Sequence, residues 1–172
     1  LRDAFTNLID KYRYPEQLSN KQLVSVRVVK ARVENERLPK GIVANRHLKL
    51  GPGAISDVEW LIQLMQLRYA GNNPELRSLT TLDTLASLVK LGHIDDADSH
   101  VLEDAWIMAS RVRSAQVLAL DKASDELPID RNKLEALARI LEFEPGSATE
   151  LEERYLAVTR RSRAVFQKLF LE

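Results

Sequence analysis

Cysteine is absent from all 172 residues. That removes disulfides, thiolate zinc sites and cysteine nucleophiles together, and it suits a reducing cytoplasm, the expected compartment. Net charge is absent too: 25 lysines and arginines balance 25 aspartates and glutamates. A neutral chain has no whole-molecule field with which to attract nucleic acid or an anionic membrane, so neither is expected as a partner. No apolar run approaches transmembrane length, and no signal peptide is visible. Nor does the chain begin with methionine. It opens on Leu1 in mid-helix composition, which reads as a fragment excised from a longer protein.

The usual catalytic signatures are also missing. Gly51-Pro52-Gly53 lacks the third glycine of a dinucleotide fingerprint, because position 56 is serine, and no Gly-Lys-Ser/Thr phosphate loop occurs. His47, His93 and His100 stand at no metal-ligand spacing and read as surface or cap residues. No serine lies in a Gly-x-Ser-x-Gly elbow. Nothing here amounts to a complete active site.

What remains is an ordinary globular balance, 45% hydrophobic and 29% charged, which argues against disorder and gives one domain over 1–172 a core to build. The patterning is helical almost throughout. Leu1, Phe5, Leu8 and Ile9 set a first helix to Tyr12, closed by Tyr14-Pro15. Ser19 with Gln22 forms a capping box for a helix to about Leu38. Ser56 with Glu59 suggests a second box, opening a helix to Gly71, and Ser147 with Glu150 a third, opening a helix to Leu169. Thr81, Asp95 and Asp130 are the expected caps of helices ending near Gly92, Leu120 and Phe143. No segment alternates with period two; only Leu48–Leu50 could be extended. The expected fold is an all-α bundle of about seven helices.

The most informative stretch is Leu48–Gln63, a basic tripeptide running into Gly51-Pro52-Gly53 and then an acidic helix start. At roughly 100° per residue, Asp57 and Glu59 point about 200° apart, so they cannot form a side-by-side acid–base pair. Glu59 falls in line with Ser56, Gln63 and Gln66; Asp57 shares its side with Trp60, Leu61 and Leu64. Both carboxylates would gain about 0.3–1 kcal/mol from the helix dipole. A functional role would have one of them face a neighbouring domain's active site or position Lys49 or Arg46. Lys30, Arg32, Arg37, Lys40, Arg46 and Lys49 form a basic cluster that could meet phosphate, diluted by Glu34 and Glu36. Arg160, Arg161 and Arg163 sit among mixed signs and read as a solvated helix face. Trp106, Met108, Val112 and Leu120 read as core.

These residues resemble a known family. Arg46–Gln63, followed by Leu67-Arg68-Tyr69-Ala70, is similar to the helical domain of glutamine-synthetase adenylyltransferases, with related domains in the PII uridylyltransferases. The family pattern Lys-Leu-x-x-Gly-Gly-Ile-x-Asp-x-Glu-Phe/Trp-x-x-Gln falls on Lys49, Leu50, Gly53, Ala54, Ile55, Asp57, Glu59, Trp60 and Gln63, with Ala54 in place of the second glycine. Val29–Pro39 resembles the lead-in of actinobacterial members, and Ala109–Arg113 and Val158–Arg161 their later helices. The resemblance implies a bifunctional parent enzyme with two nucleotidyltransferase domains, each followed by a helical domain. One half would attach AMP from ATP to a tyrosine of glutamine synthetase, and the other would remove it by phosphorolysis. Ile55-Ser56-Asp57 and the end at Phe170-Leu171-Glu172 look like the C-terminal, adenylylating half.

ATP and Mg2+ are the implied cofactors of the parent, and glutamine synthetase, the PII signal protein and an upstream nucleotidyltransferase domain its implied partners. The family's metal-binding Gly-Ser-x-x-Asp-x-Asp is absent from this sequence, so the chain alone is expected to be inactive. Lys49, Gly51, Gly53, Asp57, Glu59 and Gln63 would border the catalytic cleft. The competing expectation is a stand-alone helical adaptor that binds a partner between its helices.

Overall fold

The structure, a computed structural model, describes residues 2–121 and 123–171. Seven α-helices occupy them: α1 (Arg2–Arg13), α2 (Asn20–Arg37), α3 (Ile55–Tyr69), α4 (Thr81–Lys90), α5 (Asp96–Leu120), α6 (Arg131–Ile140) and α7 (Ala148–Leu171). Leu1 and Glu172, which figured in the expected first helix and chain end, lie outside the described residues. Among the described residues there is no strand. Leu48–Leu50 is a turn, and the only β-type pairing among the described residues is a single bridge between His47 and Glu126.

Local chemistry explains most helix ends. Ser19 and Gln22 form a full capping box at the start of α2. Asp95 and Asp130 accept the N–H groups of Asp98 and Lys133, capping α5 and α6. Helix α6 stops at Ile140, short of the expected Phe143. There Glu142 takes a left-handed φ of 66° and the Phe143 N–H returns to the Ala138 carbonyl. The cap of α4 is Thr80 rather than Thr81. At Ser147 the hydroxyl donates to the Glu150 carboxylate and the Ser147 N–H goes to the Glu144 carbonyl, so the two residues meet side chain to side chain and the expected reciprocal box does not form.

Two cores lie side by side. One gathers Val58, Leu61, Leu64 and Met65 of α3 with Leu85 and Leu88 of α4, Leu102 of α5, and Phe166 and Phe170 of α7. The other gathers Ala109, Val112 and Ala115 of α5 with Leu134 and Leu137 of α6, and Leu151 and Tyr155 of α7. Each fully buried valine, leucine, methionine or phenylalanine side chain contributes about 1.5–3 kcal/mol. At about 1.5 Å per residue, α5 and α7 are long enough to serve both cores, and Trp106 packs against each. Val112 is core as expected and Met108, half-buried, packs against the same core, whereas Leu120 is half-buried at the end of α5. The Leu48–Gln63 stretch joins the two: Leu48 and Ile55 enter the second core, Val58 and Leu61 the first.

Candidate functional site

The loop before α3 is held by its own backbone and by segment 124–128. The Leu48 N–H donates to the Asp125 carbonyl and the Leu127 N–H to the Arg46 carbonyl, at 2.6 and 2.8 Å. Arg46 is buried and pairs with Glu152, while donating to the carbonyls of Leu127 and Pro128. His47 is a cap, as the sequence suggested. Its Nδ1 accepts from the N–H groups of Lys49 and Leu50, which requires that nitrogen to be unprotonated. Burial holds the His47 pKa below its ordinary value, against the pull of Asp125 and Glu126.

Both motif glycines are dictated by close approach. A β-carbon on Gly51 would lie 2.4 Å from the His47 carbonyl oxygen. On Gly53, which has φ +72°, it would lie 1.8 Å from the Thr159 carbonyl oxygen of α7. Ala54 is different. It is buried in an extended conformation, φ −83° and ψ −166°, that any residue adopts, so its methyl group is accommodated.

Ala54 is also the N-cap of α3, which corrects the expected Ser56–Glu59 capping box. The helix starts earlier than that box would place it. Ser56 spends its N–H on the Lys49 carbonyl, and Asp57, in the third helical position, reaches back to accept the Gly53 N–H at 2.7 Å. The carboxylate that secures this end is therefore Asp57.

Asp57 is only 1% exposed, and its partners are not the expected Lys49 or Arg46. Lys30 Nζ of α2 lies 2.5 Å from Oδ1, and Arg163 Nη1 of α7 lies 2.7 Å from Oδ2. The same two cations bind Glu34, at 2.9 and 2.7 Å. Lys30, Asp57, Arg163 and Glu34 thus form a closed, neutral ring of four ion pairs joining α2, α3 and α7. Both cations also stand over the Phe166 ring, 5.2 and 5.0 Å from its centroid. For Glu34, burial opposes ionisation, but hydrogen bonds from Arg163 and Lys30 outweigh it and hold its pKa below the usual value. Arg163 is the mirror case: burial works against its charge, and the two carboxylates more than restore it.

The sequence did not point to this ring. The basic cluster before the motif is split: Lys30 and Arg46 are buried in ion pairs, while Arg32, Arg37, Lys40 and Lys49 are exposed. It is not one phosphate-facing patch. Arg163, taken with a solvated face, is partly buried, whereas Arg160 and Arg161 are exposed. The Lys30–Glu34 spacing of four was a visible signal. The pairings across 27 and 106 residues were not.

Glu59 and Gln63 take the opposite direction, as the helical angle required. Glu59 is half-buried and Gln63 exposed, and they line a small polar notch with Arg13, Ser78, Leu79, Thr80 and Thr81. Gln66, in line with them, is spent on the fold, donating to the carbonyls of Leu76 and Ser78. Beside Pro52, along α7, runs a separate groove of about 810 Å³ lined by Leu156, Ala157, Arg160, Arg163 and Gln167. Among the described residues no group of three or more histidine or acidic side chains is disposed to hold a metal. Among the described residues no helix is long and apolar enough to cross a membrane.

Comparison with known proteins gives this geometry a context. The family model described as GlnD PII-uridylyltransferase matches residues 21–170. An enzyme of Leifsonia xyli, a bifunctional glutamine synthetase adenylyltransferase/adenylyl-removing enzyme, is 49% identical over 166 residues, covering 96% of this chain and 16% of its own length. Enzymes of the same name from Cutibacterium acnes and Streptomyces avermitilis are 38% and 40% identical, each covering 99% of this chain and 17% of the relative. The chain thus spans about one-sixth of the length of these curated relatives. With the match running from α2 into the last turn of α7, and the ring and motif both inside it, the chain belongs to the GlnD PII-uridylyltransferase family.

Proposed function

We propose that this chain is a helical domain of an enzyme that adenylylates and deadenylylates glutamine synthetase in the control of nitrogen assimilation. Its task is to support a nucleotidyltransferase domain of the same polypeptide. The observation that carries this reading is the match to enzymes of that activity over nearly the whole chain, at 38–49% identity, with the chain making up only 16–17% of each. The stand-alone adaptor has no such support.

The geometry agrees with a supporting role. Asp57 is sealed in a neutral ring and the glycines are packed against α7 and the preceding loop, so the inner half of the motif fixes a scaffold. Lys49 and Gln63 are exposed and Glu59 half-exposed, so the outer half is available to border a cleft. ATP and Mg2+ would be handled by the nucleotidyltransferase domain, which would supply the metal-bound phosphoryl chemistry. The setting is the cytoplasm, with the PII protein as the regulatory partner.

The direct test incubates ATP, Mg2+ and glutamine synthetase with the complete enzyme, and separately with this chain. The complete enzyme should transfer AMP, and this chain should not. AMP transfer by this chain alone would overturn the division of labour; no transfer by the complete enzyme would overturn the function.

A further inference from the structure

Helix α1 turns its apolar side outward. It is fixed to the body by Asp10, whose carboxylate lies 3.6 Å from Arg77, and by Tyr14 just past its end, which is buried in the first core. The Tyr14 N–H bonds the Asp10 carbonyl, so the two share one side. At roughly 100° per residue, Phe5, Leu8, Ile9 and Tyr12 fall within an arc of about 100° on the opposite side. All four are exposed, Phe5 at 62% and Tyr12 at 79%. A surface helix ordinarily buries such a stripe against the body it belongs to. This one presents it to the outside.

The stripe ends beside the polar notch. Arg13 lines that notch with Glu59 and Gln63, and Leu79, 86% exposed, stands among its lining residues. Among the described residues neither Glu59 nor Gln63 has a side-chain hydrogen bond or ion pair, although Asp57 and Gln66 on the same helix are fully engaged. An outward apolar stripe, an exposed leucine and two polar groups without internal partners mark a face prepared for another surface.

We propose that α1, Leu79 and the Glu59–Gln63 pair form the docking surface for the nucleotidyltransferase domain of the same polypeptide. The inference rests on the function proposed above and adds the surface. Two observations choose this occupant over a second copy. About five-sixths of each curated relative lies outside the region matched by this chain, so the larger part of the molecule has yet to be seated. Moreover, α1 lies before the span 21–170 that the family shares, yet within the 171 residues shared with the Cutibacterium and Streptomyces enzymes. An element that aligns with these enzymes yet lies outside the family's common span is the natural place for contacts that mount the domain on its neighbour. The facing surface should offer an apolar groove for the stripe and a donor for the Glu59 carboxylate.

The test measures amide hydrogen exchange in the complete polypeptide. Helix α1 should exchange slowly, and the double variant Leu8→Asp/Tyr12→Asp should lose about tenfold or more of that protection without altering α2–α7. The control Leu118→Asp, on an exposed position of α5, should leave α1 unchanged. Fast exchange of α1 in the unaltered polypeptide would sink the proposal, and so would protection that disappears on dilution, which would mean a second copy. AMP transfer to glutamine synthetase is recorded on the same samples. Transfer with an unprotected α1 defeats only the docking surface; a protected α1 without transfer defeats only the proposed function.

Discussion

Asp57 and Glu59 belong to one short motif on one helix, yet they live in different surroundings. Asp57 is sealed between α2 and α7, holding two cations and the Gly53 N–H. Glu59 opens onto a notch that Arg13 also lines, and among the described residues it makes no ion pair. Two residues of helical rotation make the difference. The lesson is that a motif can be read as a seam, with its inner half serving the fold and its outer half free to serve something else.

The sharpest way to break that contrast is on the inner side. Gly53→Ala should destabilise the domain by about 4 kcal/mol or more, because the new methyl group meets the α7 backbone and a left-handed φ together. Denaturant unfolding measures this, and a loss under about 1 kcal/mol would show that α3 and α7 are not seated as described. Asp57→Ala comes next. It leaves Lys30 and Arg163 sharing the single carboxylate of Glu34, for an expected loss of about 3 kcal/mol.

A smaller effect is pH-dependent. The neutral form of His47 is the one that caps the loop, and its pKa is lowered in the fold. Stability from this group is therefore complete above the ordinary value of 6.5 and drains away as the pH falls below it. His93, stacked on Tyr69 and lowered by burial and by Arg68, adds to the same limb. Glu34 adds a second limb below 4.5, lost as the pH falls through its depressed value. Replacing His47 with glutamine, which keeps an acceptor, should flatten the upper limb in thermal melts; an unchanged profile would remove His47 from the account. The smallest stability change is expected outside. Glu59→Gln should shift unfolding by no more than about 0.5 kcal/mol, yet lower AMP transfer by the complete enzyme. A normal transfer rate would leave the outer half of the motif without a function.

The helices were legible because their signals are local. Ser19 with Gln22, Asp95 and Asp130 announce helix starts from within one turn of chain. Ser56 misled for the same reason. A serine three residues before a glutamate looks like a box, but its N–H had already been claimed by Lys49 in the folded loop. The divergence of Asp57 and Glu59 followed from helical geometry alone. Their fates did not, because the cations that meet Asp57 come from α2 and α7. Nothing near Arg163 in sequence marks it as internal, and only the packing of α7 against Gly53 carries it there.

The ring of Lys30, Glu34, Asp57 and Arg163 has a consequence in time. Arg163 meets its carboxylates across 106 and 129 residues of chain, among the widest separations in the domain. Closing loops of that size is entropically slow compared with forming the local turns of α5 and α6. The ring should therefore lock late, after the helices have condensed, and behave as a latch on a nearly finished molecule. Asp57→Ala would then speed unfolding far more than it slows refolding. A chevron in which the refolding arm moved instead would place the latch in the folding nucleus.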